Sequence, residues 1–279
     1  MKTGASEYRR GCEMARALWK ADSGLLPGNR PLLLVQGKPT AVSILILHGY
    51  SASPFEVGDC ARYFKALGYN VFAPRIAGHG GTRAAFDAST WREWRASALR
   101  GLEVARLLGR HVVVIGHSMG GLLATMLASE DPQGISALVL AAPAFHLADW
   151  KGYLAYLPPV RWVLPTLRFP VVHPEDKGHW QFEYGTSELV QLLDAARRAE
   201  PEVVRLELPV ALTEASDDPV ISREANQKIF ARMRSRDKEM LVYPSDEHNV
   251  MMDYNPRQKE VFDWMAWFVK EYGQGGPAK

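Results

Sequence analysis

Residues 43–47 read Ser-Ile-Leu-Ile-Leu, an unbroken apolar run of the kind a strand shows when both its faces are buried. The run ends in His48-Gly49-Tyr50. Next, Ser53-Pro54-Phe55-Glu56 combines a capping serine, a first-turn proline and a glutamate three residues on, which predicts a helix to about Leu67 with Gly68 as its stop. Residues 69–74 form the next predicted strand. Thr90-Trp91-Arg92-Glu93 is a second capping box, opening a helix to about Leu108. A β-branched strand over 111–115, an apolar helix over 122–129 and a buried strand over 135–142, closed by Pro143, complete the first half. Buried strands alternating with helices specify the α/β class, with a mostly parallel central sheet flanked by crossover helices.

The alternation breaks over 144–207. That stretch carries Trp150, Tyr153, Tyr156, Trp162, Phe169, Trp180, Phe182 and Tyr184, with prolines at 158, 159, 165, 170 and 174, before a helical segment over 187–199. It reads as an insertion. Beyond it the rhythm resumes: a strand over 210–215, a helix over 223–233, a strand over 240–243, and a last helix begun by Asn255-Pro256 and carrying Val261, Trp264, Trp267 and Phe268. The expected organisation is one core built from 1–143 and 208–279, with 144–207 as an inserted cap. No internal repeat or low-complexity linker interrupts it, and only the tail from Gly273 to Pro277 has the composition of a disordered segment. Residues 8–19 predict a short amphipathic helix; its mixed charges suit packing on the domain surface better than an interfacial membrane anchor.

Composition narrows the function classes. The 279 residues are 47% hydrophobic, enough for a substantial core, and Lys plus Arg at 33 against Asp plus Glu at 31 leaves a net charge of +2. So balanced a charge argues against nucleic acid as a partner. Arg92, Arg95, Arg100, Arg106 and Arg110 fall at helical spacing and read as a solvated face. Two cysteines, Cys12 and Cys60, supply neither a disulfide framework nor a metal cluster, and no cofactor motif is present. With no signal-like or membrane-spanning run, a cytoplasmic protein without stable membrane insertion is expected.

The chemistry enters at Gly116-His117-Ser118-Met119-Gly120, a Gly-x-Ser-x-Gly pentapeptide between a predicted strand and a predicted helix. There a serine is strained and exposed at a helix N-terminus, where the dipole favours an oxyanion. An activated serine needs a base, and the base needs an orienting acid, each at a strand end on the same sheet edge. After the strand ending near Ala215 the loop reads Ser216-Asp217-Asp218-Pro219, with Asp218 the candidate acid and Asp217 its competitor. After Tyr243 it reads Pro244-Ser245-Asp246-Glu247-His248-Asn249, with His248 the candidate base; Asn249 and Asp253 are candidates for positioning its loop. Oxyanion donors are expected from the backbone amides of Met119 and Tyr50. His48, His79 and His117 then read as structural or supporting residues.

Together with His48-Gly49-Tyr50-Ser51, Gly78-His79-Gly80, Asp218-Pro219-Val220-Ile221 and His248-Asn249-Val250, the elbow resembles bacterial α/β-hydrolases of the monoacylglycerol lipase and carboxylesterase group over about residues 41–270. The order Ser118, Asp218, His248 is the one expected for that fold. The resemblance implies an acyl-enzyme on Ser118, an oxyanion hole at Tyr50 and Met119, a cap at 144–207, and a small-molecule acyl ester as substrate, with monoacylglycerols and short- or medium-chain esters foremost. A serine in the nucleophile position sets the chain apart from haloalkane dehalogenases and epoxide hydrolases, which use aspartate. A thioesterase, a carbon–carbon bond hydrolase or a non-catalytic ligand-binding member of the fold are the alternatives. The chain departs from the pattern at Glu214-Ala215, where glycine is common, and at Glu247, whose carboxylate before His248 is expected to raise the histidine's pKa.

Overall fold

A computed structural model describes residues 4–22, 24–169 and 173–275. In chain order its helices are α1 (Ala5–Ala21), α2 (Gly58–Ala66), α3 (Arg83–Asp87), α4 (Trp91–Leu108), α5 (Met119–Glu130), α6 (Pro158–Val163), α7 (Thr186–Ala199), α8 (Arg223–Arg232) and α9 (Gln258–Tyr272). Its strands are β1 (Leu32–Leu34), β2 (Thr40–Leu47), β3 (Asn70–Ala73), β4 (Gly109–His117), β5 (Ile135–Ala141), β6 (Thr166–Arg168), β7 (Glu183–Gly185), β8 (Val210–Ala215) and β9 (Lys238–Tyr243). The main sheet has seven strands in the order β1-β3-β2-β4-β5-β8-β9. All its pairings are parallel except β1 with β3, so the alternation of strand and helix gave the expected α/β class, and only the antiparallel edge strand β1 is additional.

Register explains why β2 and β4 are apolar throughout. Leu45 pairs with Val114 and Ile44 with Val113. Leu45 approaches α4 near Gly101, whereas Val113 approaches the end of α9 near Gly273, so successive residues feed opposite layers. α5 is buried from Met119 to Ala128, lying between the sheet, α4 and α7. α1 packs on α4 through Tyr8, Cys12 and Ala15, as a surface-packed helix should. The arginine face of α4 is more engaged than its spacing suggested: Arg95 pairs with Glu130 and Arg106 with Asp131, tying α4 to the end of α5.

Two boundaries moved, each for a physical reason. The helix expected from Ser53 starts at Gly58, because Ser53 Oγ donates to Asn29 Oδ1 and the Glu56 carboxylate turns inward to accept the Gly49 N–H. Both members of the apparent capping box are used elsewhere. The last helix starts at Gln258, two residues past Asn255-Pro256, after a turn in which Asn255 Oδ1 accepts the Arg257 N–H. The Thr90 box formed as read, with Glu93 Oε2 accepting the Thr90 N–H at 2.8 Å. Pro170 and the tail beyond Gly275 lie outside the described residues.

Between β5 and β8 the chain leaves the main sheet. It passes through a 3₁₀ segment (Trp150–Tyr156), α6, the antiparallel pair β6–β7, α7 and a further 3₁₀ segment (Glu200–Arg205). α7 rests on α5, and Gln181 donates its backbone N–H to the Ser51 carbonyl and its side-chain amide to the Gly81 carbonyl. The segment therefore sits above the carboxyl ends of β2 and β4.

Candidate active site

Ser118 stands between β4 and α5 with φ 51° and ψ −115°, a left-handed conformation that a serine adopts only under constraint. The constraint is steric as well as hydrogen-bonded. A Cβ on Gly116 would lie 2.3 Å from the Gly120 carbonyl oxygen, and one on Gly120 would lie 2.1 Å from the Leu47 oxygen, so neither position admits a side chain. Ser118 donates its N–H to the Ala141 oxygen, and its own carbonyl accepts from Gly121 and Ala144. The turn is fixed from both sides.

The three residues singled out in sequence meet at the carboxyl edge of the sheet. His248 Nε2 lies 3.1 Å from Ser118 Oγ, and His248 Nδ1 lies 2.7 Å from Asp218 Oδ2. Asp218 Oδ1 accepts the N–H groups of Val220 (2.8 Å) and Ile221 (3.1 Å). Burial pushes the Asp218 carboxyl up, but the His248 ring and these two amides outweigh it and hold the group below its ordinary value. Asp217 has no part in this: its carboxylate is exposed and bonded to Ser216. Asn249 reaches the Tyr254 hydroxyl at 2.6 Å and so braces the histidine loop, whereas Asp253 is exposed. Glu247 is turned to His173 Nε2 at 3.3 Å and to the Asn249 N–H.

The expected oxyanion donors sit beside the serine. Met119 is the first residue of α5, so its amide has no acceptor within the helix. Gly49 is unavailable for that role because its N–H is taken by Glu56 Oε2 at 2.6 Å, whereas the next residue, Tyr50, lines the same cavity as Ser118.

Of the three remaining histidines near the sheet edge, two are structural. His48 Nε2 accepts the Ile76 N–H and Nδ1 faces the Gly49 carbonyl, and burial lowers its pKa to about 4. Burial also drives His79 well down, where it packs edge-on against Phe86 and Trp94. His117 differs. Its Nδ1 lies 3.0 Å from Glu56 Oε2, slightly off hydrogen-bond alignment, and its Nε2 lies 3.1 Å from the His248 carbonyl oxygen. Sequence reasoning missed Glu56 here, since its spacing from Ser53 imitates a helix cap.

A cavity of about 830 Å³ opens over Ser118. Its lining combines apolar residues, Leu147, Ala155, Val160, Leu164, Leu167 and Phe169 among them, with polar ones that include Asp149, Lys151, Asp176, Gln181, Glu247 and Asn249. Asp176 is buried, and that burial raises its pKa to about 6 despite the hydrogen bond from the Tyr254 hydroxyl. Among the described residues, no group of three or more His, Cys, Asp or Glu side chains is arranged to hold a metal ion, and no helix is long and apolar enough to cross a membrane.

The chain is similar to several known proteins. The family model described as serine aminopeptidase, S33, matches residues 38–255. A thermostable monoacylglycerol lipase of Bacillus sp. (strain H-257) is 25% identical over 233 residues, covering 83% of this chain and 91% of that protein. A monoglyceride lipase of Mus musculus is 25% identical over 267 residues, covering 86% and 87%. Among solved structures, one from a study of the metagenome-derived lipolytic enzymes LipS and LipT superposes with a TM-score of 0.80 at 22% identity, over 89% of this chain and 100% of that one.

Proposed function

This chain belongs to the serine aminopeptidase S33 family of hydrolases, and from that premise we propose that it is a carboxylic ester hydrolase acting on monoacylglycerols and other short- to medium-chain acyl esters. The observation that carries the reading is the continuous hydrogen-bonded line from Ser118 Oγ through His248 to a buried, ionised Asp218, opening into a cavity with many apolar lining residues.

In this reading His248 takes the Ser118 proton as Oγ attacks the ester carbonyl. The oxyanion is held by the Tyr50 and Met119 amides, aided by the N-terminal dipole of α5. His248 then delivers the proton to the departing alcohol, and a water, deprotonated by the same ring, releases the acid. Asp218 keeps Nδ1 protonated and steadies the imidazolium. The segment 144–207 serves as the cap: its apolar residues in the cavity lining take the acyl chain, and polar lining residues receive the alcohol. The named activities of the relatives favour this reading over a thioesterase, a carbon–carbon bond hydrolase or a binding module. Ser118→Ala is expected to abolish hydrolysis of a panel of acetyl to decanoyl esters while leaving the unfolding transition in place; undiminished hydrolysis by that variant refutes the assignment.

A further inference from the structure

One buried ion pair links the three segments that converge on Ser118. Glu56 Oε2 accepts the Gly49 N–H at 2.6 Å and lies 3.0 Å from His117 Nδ1, while His117 Nε2 lies 3.1 Å from the His248 carbonyl oxygen. Both side chains are shut off from solvent. A carbonyl oxygen can only accept, so the His117 ring must carry a proton on Nε2. The oxygen of Glu56 that faces Nδ1 also accepts from Gly49, a role that a carboxylate oxygen fills better than a carboxylic hydroxyl, so the contacts favour an ionised Glu56 beside a protonated His117. Burial alone would push the His117 pKa down and that of Glu56 up; each partner's charge reverses the shift of the other.

We propose that Glu56 and His117 are positioning residues whose paired charges set the Tyr50 amide, Ser118 and the His248 ring at working distance from one another. The assignment rests on the ester-hydrolase reading above. A buried ion pair contributes little net stability, because desolvation offsets its attraction. What it supplies here is direction. Its hydrogen bonds end on the backbone immediately before Tyr50 and on the backbone of His248 itself, and His117 is the residue preceding Ser118. A displacement of about 1 Å among such groups costs on the order of 100-fold in rate.

The pair also implies a pH response with a definite sign. The charged or titratable groups around His117 are Glu56, Asp218, His48 and the His248 ring, whose centroid is 5.2 Å away; Asp176 lies within electrostatic reach of Glu56. As pH rises and His117 loses its proton, a nitrogen lone pair faces the Glu56 carboxylate and the link opens, so activity falls on the alkaline side. Glu56→Gln removes the charge that holds the proton, so this alkaline limb moves to lower pH.

The test measures kcat and KM on a butyryl ester, and the rate of fluorophosphonate labelling of Ser118, from about pH 5 to about pH 10 for the native protein and Glu56→Gln. Histidine ¹⁵N NMR of the native protein reports the His117 ring directly. The expected results are a kcat lowered about 10-fold or more in Glu56→Gln with KM within about two-fold, an alkaline limb displaced down by about one pH unit, and a doubly protonated His117 ring in the native protein at neutral pH. A folded Glu56→Gln with native kcat and alkaline limb, or a neutral His117 ring at neutral pH, overturns the assignment. Should Glu56→Gln not fold, the native protein decides: labelling that slows as His117 titrates supports the pair's role, and labelling indifferent to that titration refutes it. A native protein that neither hydrolyses esters nor labels, with a charged His117 ring, instead overturns the ester-hydrolase reading and this role with it.

Discussion

Asp218 illustrates how a single side chain fixes the chemistry around it. Its Oδ1 is committed to two backbone amides, so only Oδ2 is free to meet His248. In Asp218→Asn the amide oxygen is held by the same two N–H groups and the NH₂ is turned to Nδ1, which forces the ring's proton onto Nε2 and removes the base. The expected outcome is a kcat reduced about 10⁴-fold with the fold retained, checked by steady-state kinetics beside circular dichroism. Ser118, Asp218 and His248 were legible in sequence because each follows a strand with an unmistakable apolar run, and strand ends are where a parallel sheet gathers its loops. Glu56 was illegible for the opposite reason. Its local spacing satisfies a helix cap, while its actual partners, Gly49 and His117, are set by a tertiary approach that sequence spacing does not encode.

At the scale of elements, β8 and α8 account for one departure from the family pattern. Glu214 points from β8 into a wholly buried site, where Asn226 of α8 donates to its Oε2 at 3.0 Å and also to the Pro143 carbonyl. Burial raises its pKa to about 7, helped by the nearby Asp218 charge and opposed by the Asn226 hydrogen bond. A glutamate in an unfolded chain titrates near 4.5, so folding takes up a proton between about pH 4.5 and about 7, and stability falls as pH rises through that window. Glu214→Gln removes that titration. It is expected to stabilise the protein at pH 8 by on the order of 2 kcal/mol and to change little near pH 4.5, read from denaturant unfolding at the two pH values. Equal effects at both refute the buried ionisation. Element identities were largely readable, since continuous apolar runs and the Thr90 box are local signals; the ends of α2 and α9 were not, because side chains from other loops, or a turn, take over the groups that would have capped them.

For the molecule as a whole, the mostly parallel sheet and the place of Ser118 at its carboxyl edge follow from strand and helix alternation, but the strand order and the shape of 144–207 do not. Its aromatics and prolines announce irregular structure without saying which residues face the cavity and which face water. Ala155 lines the cavity, whereas Trp162 on α6 is 81% exposed, and nothing in their sequence context separates them. If the apolar residues of the cavity lining take the acyl chain, Ala155→Trp fills part of that space and lowers kcat/KM for decanoyl esters at least about 10-fold more than for acetyl esters. Equal losses across the series would place the acyl chain elsewhere.

In the proposed mechanism one serine, activated by His248 and Asp218, performs the hydrolysis. Titrating the protein with a fluorophosphonate while following ester hydrolysis and mapping the adduct by mass spectrometry tests it most directly. One phosphonyl group per chain is expected, on Ser118, with activity lost in proportion to labelling. Full activity in protein labelled to completion at Ser118, or inactivation tracking an adduct on another residue, would contradict it.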